Sequence, residues 1–397
     1  MIQNHRPYQF VFSKTGSRAL ATVAGACAWL CGAADFSLCR LFAPRADAGI
    51  CPEEARARLE ALCPRPETDS GWPALPPPDP AVDLSVIIPS RNSEKTIDAC
   101  IRSILQQEAR YTLQLIVADG DSADRTPELL QAYPEVTVLS LKGPGSAASA
   151  RNAALLHATG RYLLFVDSDD QLLPGAVQAL LDTAEQQHAD IVQGGWQYLY
   201  EDGQRGPVQN YAAMQYTGKH RADRFDLPGM PWGKVYRREL FERVRFPSRY
   251  RCFEDSIIHF LIFRQAETIV SIPQTVCLWL KNSSGITSTN QHHPSAVQSY
   301  WIVEELLAQD AALGLPHDEL FSISLTLQLS AFCYATVSRM DEPTRRSLFA
   351  LCCELYARNV LPAEARRMPY SARCGAAALE SRNFALWCRF GRLFQLF

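Results

Sequence analysis

The sequence lacks several features that would assign it to a class at once. Its 13 cysteines include no C-x-x-C pair, and their number is odd, so neither a zinc knuckle nor a disulfide framework is indicated. We interpret them as mostly reduced core residues of a cytosolic protein. The net charge is only −3 over 397 residues, so no general attraction to nucleic acid is expected, and an anionic ligand would need a metal or local basic groups.

Long apolar runs and internal repeats are also missing. The most membrane-like stretch, residues 19–34, is rich in small residues and too short for a confident span. We expect no secretory leader and at most a weak membrane contact there. No fixed period runs along the chain, which argues against a repeat array.

The chain divides into three predicted parts. Residues 1–81 form an extension with two helix-like patches, 17–42 and 52–62, and a proline-rich linker at 64–80. Residues 82–291 form the main domain, and 292–397 a helical region with apolar helical periodicity interrupted by prolines. The hydrophobic share of 47% is enough to bury one large core or two smaller ones.

Strand-like and helix-like segments alternate in the main domain. Short apolar runs such as LSVIIPS, LQLIVAD, YLLFVD and DIVQGGW are separated by segments of helical period. This alternation predicts an α/β fold with a mainly parallel sheet and helices on both faces. The polar segment 196–229 is expected to be a loop or an antiparallel excursion, and the chain after the block FEDSIIHFLIFRQA, which ends at residue 266, is expected to be helical.

The segment YLLFVDSDD ends an apolar run in three carboxylates, Asp167, Asp169 and Asp170. The carboxyl ends of strands are where open α/β sheets bind their ligands. Carboxylates this close repel one another, and a divalent cation would offset their charge. The alternative is a solvated turn that supplies the cap of the next helix.

Five blocks in a fixed order resemble the family 2 glycosyltransferases, the large inverting group with the GT-A fold. The blocks are SVIIPSRNSEKTIDACIRSILQQ, LIVADGDSADRT, SARNAALLHATGRYLLFVDSDDQLLPGAV, WGKVYRRELF and FEDSIIHF, and together they cover about half of the chain. The resemblance implies a GT-A nucleotide-sugar-binding domain with a mainly parallel central sheet, followed by a helical C-terminal region.

The resemblance also implies a set of donor-binding residues. Pro89, Ser90 and Arg91 follow the first strand and would contact the nucleobase and ribose. Asp119 would accept from the imide N–H of uracil, although Gly120 stands where the family usually has a second aspartate.

The family's D-x-D motif corresponds to Asp167 and Asp169. The resemblance implies that Asp169 binds Mg²⁺ or Mn²⁺ on the donor diphosphate and that Asp167 meets the ribose or the metal's water shell. Arg151 could bind the diphosphate with its guanidinium. Alternatively, it ties its helix to neighbouring carbonyls.

The transfer residues are expected further along the chain. In the family, the aspartate of the Glu-Asp pair is the catalytic base, which is Asp255 here, with Glu254 beside it. Both could instead be ordinary first-turn residues of a helix. Trp232 and Lys234 resemble the acceptor-side loop, or they are a packed tryptophan and a solvated lysine.

The C-terminal segment RNFALWCRFGRLFQLF mixes arginines with aromatic and aliphatic residues. It could be an interfacial helix on an anionic membrane, or a helix docked on the helical region with its arginine stems covering apolar surface.

Together these features predict an inverting, metal-dependent glycosyltransferase. The sugar would pass from a nucleotide diphosphate-sugar, with UDP as the expected nucleotide, to a glycan or lipid-linked acceptor in cell-surface polysaccharide synthesis. We expect a cytoplasmic location, with the inner membrane face as a peripheral site. The alternative is a catalytically inactive nucleotide-sugar-binding partner subunit, which the altered ADGDS block would fit. A nucleotidyltransferase is a weaker third hypothesis, because no glycine- and lysine-rich phosphate loop follows the first strand.

Overall fold

The computed structural model describes residues 50–68, 71–143, 145–218, 221–250, 253–281 and 293–394, and four isolated positions near the N-terminus. The helix-like patch predicted at 17–42, with its membrane-like stretch 19–34, lies almost wholly outside these residues. The patch predicted at 52–62 is an α-helix, Pro52–Leu62.

The chain forms two compact units, which are described separately. The sheet unit comprises Pro66–Ile286 and Glu304–Leu320, and the helical unit comprises the described parts of Met1–Arg65, Thr287–Val303 and Phe321–Phe397. The three-part division from the sequence stays a prediction.

A ten-stranded sheet, counted over the described residues, forms the core of the sheet unit. Its strands are β1 Leu84–Ser90, β2 Leu113–Asp119, β3 Thr137–Ser140, β4 Tyr162–Phe165, β5 Gln171–Leu172, β6 Ile191–Tyr200, β7 Arg205–Gln209, β8 Met214–Tyr216, β9 Lys234–Arg237 and β10 Ile269–Lys281. The order is β3-β2-β1-β4-β9-β6-β10-β5, with β7 beside β6 and β8 beside β10.

The sheet is mainly parallel, as predicted. β2 and β4 flank β1 in parallel, and β2 is parallel to β3. β9 is antiparallel to both β4 and β6, which makes β4 and β6 parallel to each other, and β10 is parallel to β6. The antiparallel excursion expected after Trp196 is present as β7 and β8.

The helices that belong to the sheet unit follow its strands. They are Ile97–Leu105, Thr126–Leu130, Ala147–Leu155 and Ala176–Gln186, with short turns at Arg221–Asp226, Arg238–Phe241, Glu254–Ser256, Ile258–Ile262 and Phe263–Gln265. The first of these helices begins at Ile97 after Thr96. The hydroxyl of Ser93, before this helix, shares a hydrogen bond with the hydroxyl of Ser168 at 2.7 Å.

Close approach of the backbone fixes the start of β4. A Cβ at Gly160 would lie 2.4 Å from the amide nitrogen of Ser85, so only glycine fits there. The Gly160 N–H donates to the Ser85 hydroxyl at 2.8 Å. This contact sets the alignment of β4 with β1, and so the position of the carboxylates that follow β4.

The expectation of a helical chain after residue 266 is wrong for residues 269–281. They form β10, the longest strand, which pairs with β6 over most of its length. Two register shifts between Ser271 and Cys277 break the alternation that would mark a regular strand. The later residues are helical as expected.

The later helices include the core of the helical unit. Their bounds are Gln298–Leu313, Glu319–Leu327, Cys333–Val337, Glu342–Asn359, Pro362–Ala365, Tyr370–Glu380 and Phe384–Phe394, with turns at Pro294–Val297 and Gln328–Phe332. One described stretch, Glu319–Val337, is long and apolar enough to cross a membrane, but 83% of it is buried inside the protein, as in a core helix.

The last helix, Phe384–Phe394, packs within the helical unit. This is the second of the two alternatives given for the C-terminal segment, a helix docked on the helical region. Most of the apolar side chains of this last helix are buried. The Trp387 indole donates to the Leu329 carbonyl at 3.1 Å, and Gly391 allows the ring of Tyr334 to approach closely. Its apolar face is therefore used inside the helical unit.

Candidate active site

The predicted donor residues converge at the carboxyl ends of β1, β2 and β4. Ser90, the last residue of β1, is in register with Asp119, the last residue of β2. Asp167 follows β4 by two residues. The sheet topology therefore brings together residues that lie far apart in sequence, as expected for an open α/β sheet.

Arg151 connects these residues with the Glu-Asp pair. Its helix, Ala147–Leu155, is capped by Ser146, whose hydroxyl accepts from the Ser149 amide. Arg151 Nη2 donates to Asp167 Oδ1 at 2.7 Å, and its Nη1 donates to Glu254 Oε1 at 3.0 Å. A further contact runs from Nη1 to Asp255 Oδ1 at 3.3 Å.

The environment of Arg151 is buried and strongly anionic. Its side chain is 3% exposed, and its guanidinium carbon lies 5.3 Å from the centre of the Phe246 ring. Burial acts to lower the pKa of Arg151, but the three carboxylates outweigh burial and raise this pKa above its ordinary value. Its Nε has no hydrogen-bond partner. Because the guanidinium is held by carboxylates, its predicted contact with the diphosphate stays a prediction.

The carboxylates after β4 are suited to bind a cation whose remaining ligands would come from the nucleotide-sugar. Burial and the neighbouring Asp167 raise the pKa of Asp169 to about 6, so added positive charge would stabilise its ionised form. Asp170 Oδ1 accepts from the Leu280 amide at 2.9 Å, and its buried Oδ2 has no partner.

No group of three or more metal-ligating side chains occurs within the described ranges. Carboxylate oxygens are the ligands that Mg²⁺ and Mn²⁺ prefer. Mg²⁺ is usually held by one or two carboxylates together with substrate phosphates rather than by a cage of protein ligands alone. The carboxylates that follow β4 therefore fit a cation that is also bound by a diphosphate.

The Glu-Asp pair forms a short 3₁₀ helix, Glu254–Ser256, preceded by Phe253 in the left-handed region with φ of 73°. Such a conformation is costly for a bulky residue and is often retained at functional sites. The side chain of Asp255 is 38% exposed and that of Glu254 only 13%. Desolvation and Glu254 raise the pKa of Asp255, and Arg151 opposes the rise.

The predicted nucleobase end contains one hydroxyl without a partner. Ser90 is 3% exposed, and its Oγ makes no hydrogen bond. Asp119 accepts from both the amide and the hydroxyl of Ser122. The Gly120 amide donates to the Ser90 carbonyl at 2.8 Å. The loop after β2 is therefore fixed against β1, beside a buried hydroxyl that has no hydrogen-bond partner.

Two other predicted nucleobase residues lie beside this loop. Pro89 is buried within β1, and Arg91 is exposed. Arg91 Nη1 donates to the Gly145 carbonyl at 3.4 Å. The donor roles of Pro89 and Arg91 stay predictions.

The two predicted acceptor-side residues are both buried. Trp232 is 4% exposed and packs edge-on against Trp196 and face-on against Trp279, with ring centres 5.3 and 5.6 Å apart. Lys234 is fully buried, donates to the Met230 carbonyl at 2.6 Å, and has its pKa lowered by burial to about 7. Their acceptor-side role stays a prediction, and the packing shows only that they shape this loop.

Several supporting residues escaped the sequence reading. Phe246 lies against the guanidinium of Arg151. Asn152 holds the Phe246 backbone with two hydrogen bonds, at 2.7 and 2.9 Å. Asn152 directly follows Arg151 in the SARNAA block, which marks its position, but nothing in the sequence points to Phe246.

An open α/β sheet with carboxylates at the ends of its strands has a ligand site at that edge, and Arg151 joins these carboxylates to the acidic pair. The family model of Glycosyl transferase family 2 matches residues 85–245, so this segment of the chain is similar to that family. The match ends before Glu254 and Asp255, so their roles are argued from the geometry.

Two curated relatives and one solved structure illustrate what this chain is similar to. Glycosyltransferase GlyG of Streptococcus pneumoniae is 28% identical over 222 residues, which are 52% of this chain and 73% of GlyG. Succinoglycan biosynthesis protein ExoO of Rhizobium meliloti is 29% identical over 201 residues, which are 45% of this chain and 55% of ExoO. The chain thus spans only about half of ExoO.

The crystal structure of S. aureus TarS 1–349 in complex with UDP-GlcNAc has a TM-score of 0.60. It covers 78% of this chain and 91% of the TarS chain at 18% identity. At this identity the similarity establishes the fold, which is that of the GT-A enzymes. The fold predicted from the sequence is confirmed.

Proposed function

We propose that this glycosyltransferase inverts the anomeric centre as it transfers a sugar from a UDP-sugar to a hydroxyl of a glycan or lipid-linked acceptor. One observation carries the proposal. Arg151 binds Asp167 of the D-x-D motif and Asp255 of the acidic pair within one guanidinium. The residues expected to hold the donor and to deprotonate the acceptor therefore share one site.

Direct displacement fits this arrangement. It needs one carboxylate to take the acceptor proton on the face opposite the leaving group, and it needs no protein nucleophile. Asp255 is the candidate base, since it is the more exposed member of the pair and its raised pKa brings it closer to the operating pH. Glu254 is more enclosed and orients the site.

The leaving group is a nucleoside diphosphate, which gains negative charge as the anomeric bond breaks. Asp169 would hold a bound Mg²⁺ or Mn²⁺ there, and such a cation offsets charge on the departing diphosphate. Asp167 lies on the same loop and would reach the ribose or the water shell of the cation. Asp170 fixes the loop by accepting from the Leu280 amide.

The proposal that the nucleotide is UDP rests on the residues at the end of the site near β2. Asp119 is an acceptor for the imide N–H of uracil, and each of its oxygens has a second lone pair beyond the bonds from Ser122. The unpartnered Ser90 hydroxyl adds a donor and acceptor beside it. TarS, which shares the fold, was crystallised with UDP-GlcNAc, and this agrees with a UDP-sugar.

The acceptor class is proposed from the relatives. ExoO is named for succinoglycan biosynthesis, which is a polysaccharide pathway. A role in cell-surface polysaccharide synthesis is consistent with this name. The acceptor and the linkage formed are part of the proposal.

The test is release of nucleoside diphosphate from UDP-, GDP- and dTDP-sugars by the full chain, with Mn²⁺ or Mg²⁺ and with a chelator. We expect metal-dependent release from a UDP-sugar, and weaker metal-dependent donor binding in Asp169→Asn. Asp255→Asn should retain donor binding while losing far more than tenfold in transfer, since tenfold is only about 1.4 kcal/mol of barrier. Transfer within tenfold of the wild type would remove Asp255 as the base.

The inactive partner subunit gives a different result in the same assay. It would bind the donor and release nothing from any donor, even with a pool of extracted lipid-linked and soluble glycans as acceptor. Loss of both binding and release would reject both functions.

A further inference from the structure

Charge is distributed unevenly along the chain. Residues 321–397 contain ten arginines, no lysine and five acidic residues, a net charge of +5. The remaining 29 basic and 37 acidic residues give residues 1–320 a net charge of −8. A chain that is weakly acidic overall therefore has a basic helical unit, and the near-zero total conceals this.

The basic side chains are dense in one connection of the helical unit, the arginine segment, defined as residues 358–373. It joins the helices Glu342–Asn359 and Tyr370–Glu380 through the short helix Pro362–Ala365. Its four arginines, which are all exposed, are Arg358, Arg366, Arg367 and Arg373.

Little negative charge opposes these arginines. The only acidic residue in the arginine segment is Glu364, and its carboxylate accepts from the Leu361 amide at 2.8 Å. Arg358 pairs with Glu354 one helical turn earlier. The segment itself therefore has a net charge of +3.

Apolar side chains lie among the arginines and face water. Leu361 is 65% exposed, the highest value for a large hydrophobic residue in the part of the chain that the structure describes. Tyr370 is 46% exposed, and the guanidinium carbon of Arg373 lies 5.9 Å from its ring centre. The neighbouring Val360 and Met368 are buried and anchor the segment.

We propose that the arginine segment is a peripheral membrane-binding surface that docks on anionic phospholipid headgroups. Guanidinium groups pair with lipid phosphates through bidentate hydrogen bonds. Leucine and tyrosine are side chains that enter the boundary between headgroups and acyl chains. The net positive charge of the segment is attracted by the negative surface potential of an anionic membrane, which a neutral membrane lacks.

This surface is distinct from the last helix of the chain, which the sequence offered as an interfacial helix. That helix uses its aromatic residues in the core of the helical unit. The arginine segment keeps Leu361 and Tyr370 outside the core. The proposal does not depend on the donor, the acceptor or the catalytic residues.

The test is co-sedimentation of the full chain, without nucleotide-sugar, with phosphatidylcholine vesicles that contain or lack phosphatidylglycerol. We expect binding only to the anionic vesicles, weakening as salt is raised. Neutralising one arginine near an anionic surface costs roughly fivefold in affinity, so Arg366→Gln with Arg367→Gln should cost about 25-fold. Leu361→Asn should cost several-fold more than its control Leu62→Asn, which alters a less exposed leucine of the same unit.

The charge control is Arg339→Gln with Arg392→Gln, two exposed arginines of the helical unit outside the arginine segment. It changes the net charge equally and should cost much less affinity. Equal losses in the two double variants would overturn the proposal in favour of diffuse attraction. Binding to neutral vesicles, or no effect of either segment variant, would also overturn it. A change of mass in solution caused by the segment variants would instead assign the surface to contacts between protein chains.

Discussion

Arg151 donates to Asp255, a residue 104 positions later in the chain, at 3.3 Å. The same guanidinium binds Asp167 of the D-x-D motif. One cation therefore fixes both the loop proposed to hold the donor and the residue proposed to activate the acceptor. Loss of Arg151 would therefore remove the counter-ion of both carboxylates.

Arg151→Met tests this connection through stability. The substitution leaves three carboxylates without their counter-ion, and loss of one partner of a buried pair costs roughly 3–5 kcal/mol. Arg161→Met is the matched control, because Arg161 also contacts two carboxylates but is 51% exposed, where such pairs contribute at most about 1 kcal/mol. Urea unfolding of both variants measures the difference. Similar losses in the two would contradict the structural role of Arg151.

The pH dependence of transfer tests the Glu-Asp pair. A general base must be ionised, so the rate should fall as pH falls through the pKa of Asp255, which desolvation and then Glu254 raise. Glu254→Gln removes the second cause and should move the acidic limb of the kcat profile to lower pH. Glu239→Gln, at an exposed position, should leave the limb unchanged. A limb that stays in place in Glu254→Gln would show that another group controls it.

His259 should contribute to the pH dependence of stability. Its side chain contacts the Leu227 carbonyl at 2.7 Å, and burial lowers its pKa from 6.5 to about 4. Between these values the unfolded chain binds a proton that the folded chain does not, so this histidine lowers the free energy of unfolding as pH falls from about 6.5 to 4.

His259→Asn should therefore lose less stability than the wild type between pH 7 and about 4.5, as measured by urea unfolding at each pH. The control is His188→Asn, at an exposed position with φ of 48° that asparagine tolerates. Parallel pH curves for the wild type and His259→Asn would contradict the assignment.

Much of the sheet could be predicted because its strands are continuous apolar runs. The runs LSVIIPS and LQLIVAD coincide with β1 and β2. β9 has only four residues, too few for a period to show, and β10 contains Pro273 and two register shifts. Both strands depend on neighbours from other parts of the chain, which local periodicity does not contain.

The site was predictable to a similar degree. Asp119, Asp167 and Asp169 follow strands, and the ends of parallel strands meet at one edge of a sheet. The bond between Arg151 and the Glu-Asp pair could not be predicted, because it joins segments about a hundred residues apart. The sequence suggested diphosphate or backbone carbonyls as the partners of Arg151, whereas burial beside three acids gives it carboxylates.

The place of β9 between β4 and β6 has a consequence for synthesis of the protein. When the ribosome has completed residue 200, β4 and β6 are both made, but β9, which lies between them, is not. The other neighbour of β6 in the strand order is β10, which is complete only at Lys281. At roughly 5–20 residues per second, this interval lasts on the order of ten seconds. During it, buried strands present open edges to other chains. Fragments that end before β9 should therefore aggregate rather than bind nucleotide.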